Sequence, residues 1–206
     1  MAATTATVTQ HTPMSVPPGV KDPSRRIIEN PVAGEVGDFI KYSYETEGKY
    51  AEAEATCVPG GGPPLHYHKN FAEIFTAIEG DLLLYTGSDP KAEPLHLPPG
   101  ETFTVPIGTL HRFSAGPEGA KFKIRVEPGD EGFEKSIYIL FGLARDGQLG
   151  KDCLPTNPIY TAVIGSLGGM YFPGATGALL NGVTAVMAAY ARWSGVQDEL
   201  IKKYWE

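Results

Sequence analysis

Three histidines and one glutamate carry the chemistry that this sequence offers. His66 and His68 are separated by a single residue, so on a strand both imidazoles project from the same face. Glu73 follows five residues later, beyond a short bend at Lys69-Asn70, and His111 opens a further strand-like run after Pro106-Ile107-Gly108. Three neutral imidazoles and a carboxylate form a borderline-to-hard donor set. It suits Fe, Mn, Ni, Cu, Co or Zn, and no thiolate narrows the choice. Four protein ligands on an ion that takes five or six leave positions open for a substrate oxygen, water or O₂. Other catalytic arrangements are missing: there is no GxSxG elbow, no Gly-Lys-Ser phosphate loop and no GxGxxG.

The elements that must position these residues read as short strands. Tyr50 to Val58 alternates strictly, with Ala51, Ala53, Ala55 and Cys57 on one face and Tyr50, Glu52, Glu54 and Thr56 on the other. Further strands are expected at Phe39–Tyr44, Ala72–Ile78, Asp81–Tyr85, Leu95–Leu97, Thr102–Val105, Leu110–Ala115, Lys121–Val126 and Ser136–Gly142. Turn signals fall between them at Glu79-Gly80, Gly87-Ser88-Asp89-Pro90, Pro98-Pro99-Gly100, Ile107-Gly108 and Gly116-Pro117. Strands punctuated this regularly indicate a sandwich or closed barrel, a mainly β fold. The 25 glycines and 18 prolines are spread along the 206 residues, which also argues against a helical bundle.

The ends differ in texture. Residues 1–24 are rich in Thr, Pro and Ala without hydrophobic periodicity and are expected to form a flexible tail. Residues 25–145 carry the barrel, and 146–206 a C-terminal helical extension. Between Asp152 and Arg192 there is no charged residue or histidine. Two helices are expected there, about Ile159–Tyr171 and Ala178–Arg192, broken by Pro173-Gly174. A pair buried on the barrel or on a second subunit is the favoured reading, and a hairpin on a membrane surface the other; neither piece is long enough to span. The net charge of −7 and the lack of a basic cluster argue against nucleic acid. Cys57 and Cys153 sit in no paired motif and are expected as free thiols. The N-terminus lacks a secretory pattern, so a cytoplasmic protein is expected.

The spacing Gly60-x5-His66-x-His68-x4-Glu73-x6-Gly80, followed by Gly100-x5-Pro106-x-Gly108-x2-His111, resembles the two motifs of the cupin superfamily. The second motif often closes with an Asn, where this sequence has Ala115. The resemblance spans about Phe39–Gly142. It implies a double-stranded β-helix, a jelly-roll barrel, here with the C-terminal helical pair. It implies His66, His68, Glu73 and His111 as ligands of one divalent transition metal, and commonly a homodimer. The resemblance is closest to single-domain, quercetinase-like cupins. It implies an oxidoreductase, a dioxygenase acting on a small hydrophobic substrate with a phenol or enol oxygen, with Glu73 as ligand or general base. An isomerase, lyase or cyclase using the metal as a Lewis acid is the alternative, and a non-catalytic metal or small-molecule binder a third.

Strand parity extends the candidate pocket. If Glu73 points inward, so do Phe75 and Ala77; if His111 does, so do Phe113 and Ala115. Phe75 and Phe113 are therefore candidate substrate contacts. Tyr42 and Tyr44 share a face of an early strand and could bring a phenol to the same place. The alanine face of Ala51, Ala53 and Ala55 would either leave room for an aromatic or hydrophobic substrate or lie beneath the C-terminal helices.

Overall fold

A computed structural model describes residues 13–89 and 92–206. Its centre is a seven-stranded antiparallel sheet, with strands β1 (Ile27–Asn30), β2 (Glu35–Lys41), β3 (Ala51–Cys57), β4 (Ala72–Thr86), β5 (Leu95–Leu97), β6 (Thr102–Val105) and β7 (His111–Glu127). The order is β1-β2-β3-β7-β4-β5, and β6 pairs with β4. Helices α1 (Pro18–Lys21), α2 (Glu131–Arg145), α3 (Pro158–Leu167), α4 (Gly174–Trp193) and α5 (Val196–Tyr204) flank it. The fold is mainly β, a double-stranded β-helix with a helical C-terminus.

The long pair β4–β7 forms the spine, running in register from Ala72 opposite Glu127 to Thr86 opposite His111. The expected turn at Glu79-Gly80 is instead an irregularity inside one strand. Buried residues fall at 73, 75 and 77 before it and at 82 and 84 after it, so the pairing gains an odd residue and the inward parity switches. Gly80 has φ +73°, and a Cβ there would lie 2.2 Å from the Gly119 carbonyl oxygen. Only glycine fits that approach. Gly116-Pro117 likewise lies within β7 rather than between two strands.

The inner core gathers Phe75, Ala77, Leu82, Leu84, Leu97, Val105, Ala115 and Phe122. Small residues on β3 face large ones on β7: Ala51 opposite Val126, Ala53 opposite Ile124, Ala55 opposite Phe122. The room expected beside the alanines is thus filled from across the ladder, because directly opposed residues share one face of the sheet.

A second core joins sheet, helices and both ends of the described chain. Ile28, Phe39, Tyr42, Tyr138, Phe141 and Trp205 pack together, and Trp205 is fully buried. Tyr42 and Tyr138 share a 2.5 Å hydroxyl contact, and the Tyr138 hydroxyl donates to the Arg25 carbonyl, 2.6 Å. The Trp205 indole donates to Ser15 Oγ, which in turn donates to Glu131. Part of the expected N-terminal tail, residues 13–24, is therefore folded against α2; residues 1–12 lie outside the described residues.

The C-terminal break at Pro173-Gly174 separates α3 from α4 as expected, and a further helix, α5, follows beyond the two expected ones. Ser136–Gly142, expected as a strand, lies within α2. Its helix starts at the Asp130 N-cap, whose carboxylate accepts from the Phe133 N–H, with Glu131 and Glu134 in the first turn. A seven-residue apolar window reads equally well in either period, and the cap decides it. Cys57 and Cys153 are free.

Helix α2 also buries Glu134 completely. One carboxylate oxygen accepts from the Ser43 N–H and hydroxyl at 2.6 Å each, and the other has no partner. Burial, with Glu131 and Asp130 nearby, pushes this carboxyl up to about 7. Between the ordinary value of 4.5 and 7 the folded state holds more protons than the unfolded chain. Its contribution to stability therefore falls as pH rises through that window. Glu134→Gln keeps the Ser43 bonds without a charge. It should narrow the gap in melting temperature between pH 5 and pH 8 and melt higher at pH 8, by about 2–4 °C for each kcal/mol recovered. Differential scanning calorimetry at both pH values checks this, and an unchanged gap would show that Glu134 does not titrate there.

Candidate metal centre

The four residues that the sequence singles out converge. His66 and His111 face each other as an antiparallel bridge: the His66 N–H donates to the His111 carbonyl at 3.0 Å, and the His111 N–H returns a bond at 2.8 Å. Side chains opposed in this way rise on one face, and the two rings lie 4.4 Å apart between centroids. His68 follows two residues after His66 on the same face, and its carbonyl accepts from the Gly108 N–H at 2.7 Å. The turn carrying Pro106 and Gly108 is thereby tied to the histidine strand. Glu73 enters from β4, between Val105 of β6 and Val126 of β7. One donor atom from each of the four lies within 4.8 Å of all the others.

Each imidazole is fixed from behind by a backbone carbonyl. His66 Nδ1 lies 2.8 Å from Pro64 O, His68 Nδ1 3.1 Å from Gly169 O, and His111 Nδ1 2.9 Å from Thr109 O. A carbonyl only accepts, so each Nδ1 carries a proton; His66 and His68, neutral, present bare Nε2 lone pairs inward, and His111 turns its Nε2 onto the Glu73 carboxylate, a contact that a bound cation would replace. The Nε2 atoms of His66 and His68 are 3.0 Å apart. Two lone pairs at that distance repel unless a cation lies between them. Two nitrogens each about 2.0–2.1 Å from one ion, at right angles, are separated by about 3.0 Å. Glu73 adds the negative charge, with Oε2 at 2.5 Å from His111 Nε2 and Oε1 at 3.7 Å from His68 Nε2. The donor set fits a divalent transition metal.

All four side chains are buried. Burial, reinforced by the neighbouring imidazoles, pushes His66 down to about 4, and burial also lowers His68 against the pull of Glu73. Burial alone would raise the Glu73 carboxyl, but its bond to His111 and the other two rings outweigh that and hold it below the usual range. For His111 the Glu73 bond overrides burial and raises the ring. Two rings are thus neutral at pH 7 and the carboxyl is ionised, the states a metal requires.

The cupin-domain family model matches residues 53–130. This stretch is a cupin domain. A comparison with curated proteins finds no match. Among solved structures, the chain is similar to an RmlC-like cupin from Shewanella frigidimarina, with TM-score 0.43 and 18% identity over 52% of this chain and 86% of that one. It is also similar to KdgF from Halomonas sp., with TM-score 0.41 and 16% identity over 49% and 86%. Ectoine synthase from P. lautus gives TM-score 0.42 and 15% identity over 50% and 70%.

The remaining sequence candidates divide. Phe75 and Phe113 lie in the inner core of the cupin barrel, their rings 5.5 Å apart, with Phe75 fully buried. Tyr42 and Tyr44 do not reach it. Strand β2 ends at Lys41, and the chain turns into a 3-10 helix at Ser43–Thr46, capped by Glu45 on the Tyr42 N–H. Parity stops applying there: Tyr42 is buried in the second core and Tyr44 is exposed.

Three neighbours of the centre went unforeseen. Phe71 stacks on His68 at 4.3 Å, and Phe133 of α2 meets the same ring edge-on at 6.4 Å. Phe71 shares the parity of Glu73 and Phe75, so counting back by two would have found it. Phe133 and Gly169 had no such signal. Gly169 lies beyond the cupin domain, at the end of α3, in a left-handed conformation (φ +58°). Its carbonyl is free for His68 because the turn closes through Gly168 N–H to Ile164 O and Met170 N–H to Gly165 O. Paired bonds between Tyr67 and Tyr171 fasten this segment alongside the histidine strand.

The centre predicts about one divalent transition ion per chain in protein purified without chelator. His66→Ala and His111→Ala should each lower the metal content at least tenfold, read by elemental analysis beside a circular dichroism control for folding. Retention of metal by both folded variants would place the ion elsewhere.

Proposed function

We propose that this cupin is a metal-dependent oxidoreductase of the dioxygenase type, acting on a small hydrophobic substrate that carries a phenol or enol oxygen. The observation that carries the reading is the set of three inward Nε2 atoms and one ionised carboxylate around a single point, walled by phenylalanine rings. His66, His68, Glu73 and His111 would hold the ion. A divalent transition metal in that position supplies Lewis acidity and the means to bring an activated oxygen of the substrate together with O₂.

The protein's own groups do the rest. The carbonyls of Pro64, Thr109 and Gly169 keep Nδ1 of the three rings protonated, so that Nε2 is the atom each ring offers the ion. Glu73, held ionised in a buried setting, accepts the phenol or enol proton at a carboxylate oxygen. Phe71 and Phe133 exclude water from the His68 side, and Phe75 and Phe113 supply apolar contact deeper along β4 and β7. Glu73, ionised and buried, can also move a substrate proton without O₂. This favours, as a second reading, an isomerase, lyase or cyclase with the metal as Lewis acid. In either case we place the protein in the cytoplasm, as a homodimer.

The deciding experiment supplies metal-loaded protein with a panel of flavonols, catechols and cyclic enols in an oxygen electrode. O₂ uptake coupled to substrate loss is expected, with Glu73→Gln lowering kcat at least 100-fold. Turnover that persists under argon would move the assignment to the second reading. Metal retained with no turnover in either atmosphere would leave a binding protein and overturn both.

A further inference from the structure

Helix α4 lies on the molecule by one thin seam. Its buried or half-buried positions are Gly177, Asn181, Thr184, Met187, Ala188 and Ala191. Opposite this seam stand Leu179, Val183, Val186, Tyr190 and Trp193, all exposed, with Leu179 and Val186 at 71% and Trp193 at 83%. At about 100° per residue these five fall within an arc of roughly 80°. Their spacing alternates four and three, the a/d repeat of a coiled-coil seam, sustained over two heptads. The flanking positions Gly182, Met187 and Ala189 are small or apolar, and none bears a charge that would repel an approaching helix.

We propose that this face is the interface with the α4 helix of a second copy of the chain, packed antiparallel about a two-fold axis at Val186. Three observations choose this occupant. The four-three repeat is that of a helix partner, with the exposed Leu180 at its margin. A lipid surface imposes no such repeat and draws in helices whose polar face is rich in Lys and Arg, whereas α4 has only Arg192. The area is right: the five exposed side chains present on the order of 700 Å², close to the ~800 Å² that each partner contributes to a standard interface. The face is also self-complementary in the antiparallel sense. Symmetry about Val186 sets Trp193 against Leu179 and Tyr190 against Val183, so each layer outside the central Val186 pair sets a large ring against a smaller aliphatic group. Parallel packing would crowd both aromatic layers at one end. The groove beside the ridge, lined by Ala178 and Gly182, receives the opposing side chains.

The inference does not rest on the metal reading. Multi-angle light scattering of the full chain at 50 µM should give twice the 22.1 kDa of one chain. Val186→Asp should shift it to the single-chain mass while keeping the wild-type circular dichroism spectrum, because Val186 touches solvent rather than the core. In a Cys153→Ser background, Val186→Cys should cross-link to a covalent dimer under mild oxidation. Leu179→Cys should do so only when mixed with Trp193→Cys, which fixes the antiparallel sense. A wild-type monomer at 50 µM, or a Val186→Asp variant that remains a dimer, would overturn the proposal. Co-flotation of the wild-type monomer with neutral phosphatidylcholine vesicles would assign the face to a membrane instead.

Discussion

Three backbone carbonyls hold this protein's chemistry in place. Each binds the outer nitrogen of one imidazole, and together they turn the three inner nitrogens toward one another in a buried space. The two neutral rings so arranged repel, and the third is held against a buried carboxylate. A divalent cation satisfies all four groups at once, which explains why such a costly polar cluster sits where apolar side chains would pack at no electrostatic penalty.

Everything around the cluster serves to fix those carbonyls. Pro64 and Thr109 belong to the two segments that pair through the His66–His111 bridge, so the ladder that brings the rings together also sets their orientation. Gly169 comes from outside the barrel. The sheet thus fixes two of the histidines and the C-terminal helices complete the third. Phe71 and Phe133, stacked around His68, bind the same helical layer to the sheet through apolar contact. The second core, centred on Tyr42, Tyr138 and Trp205, docks α2 and α5 and so sets the height at which Phe133 meets the ring.

Sequence spacing located the centre because strand geometry is local. Residues two apart share a face, so His66 with His68, and Glu73 with Phe75, could be placed on one side of their strands. Parity failed where backbone geometry changed: at Gly80, where an irregular pairing switches the inward set, and at Lys41, where β2 gives way to a 3-10 turn and Tyr42 leaves for another core. Periodicity also failed at Ser136–Gly142, where a strand was expected and the Asp130 cap selects a helix.

By itself the sequence determined the donor set, its order along the strands, the mainly β fold and the break between α3 and α4. Each of these follows from residue type and short-range periodicity. Only the tertiary structure decided that β7 side chains fill the space beside the β3 alanines, that Tyr42 and Tyr44 stand apart from the centre, and that Gly169 orients His68. Those outcomes depend on contacts between segments as much as 101 residues apart in the chain, whose meeting is set by how sheet and helices pack and leaves no repeat in the sequence to be read.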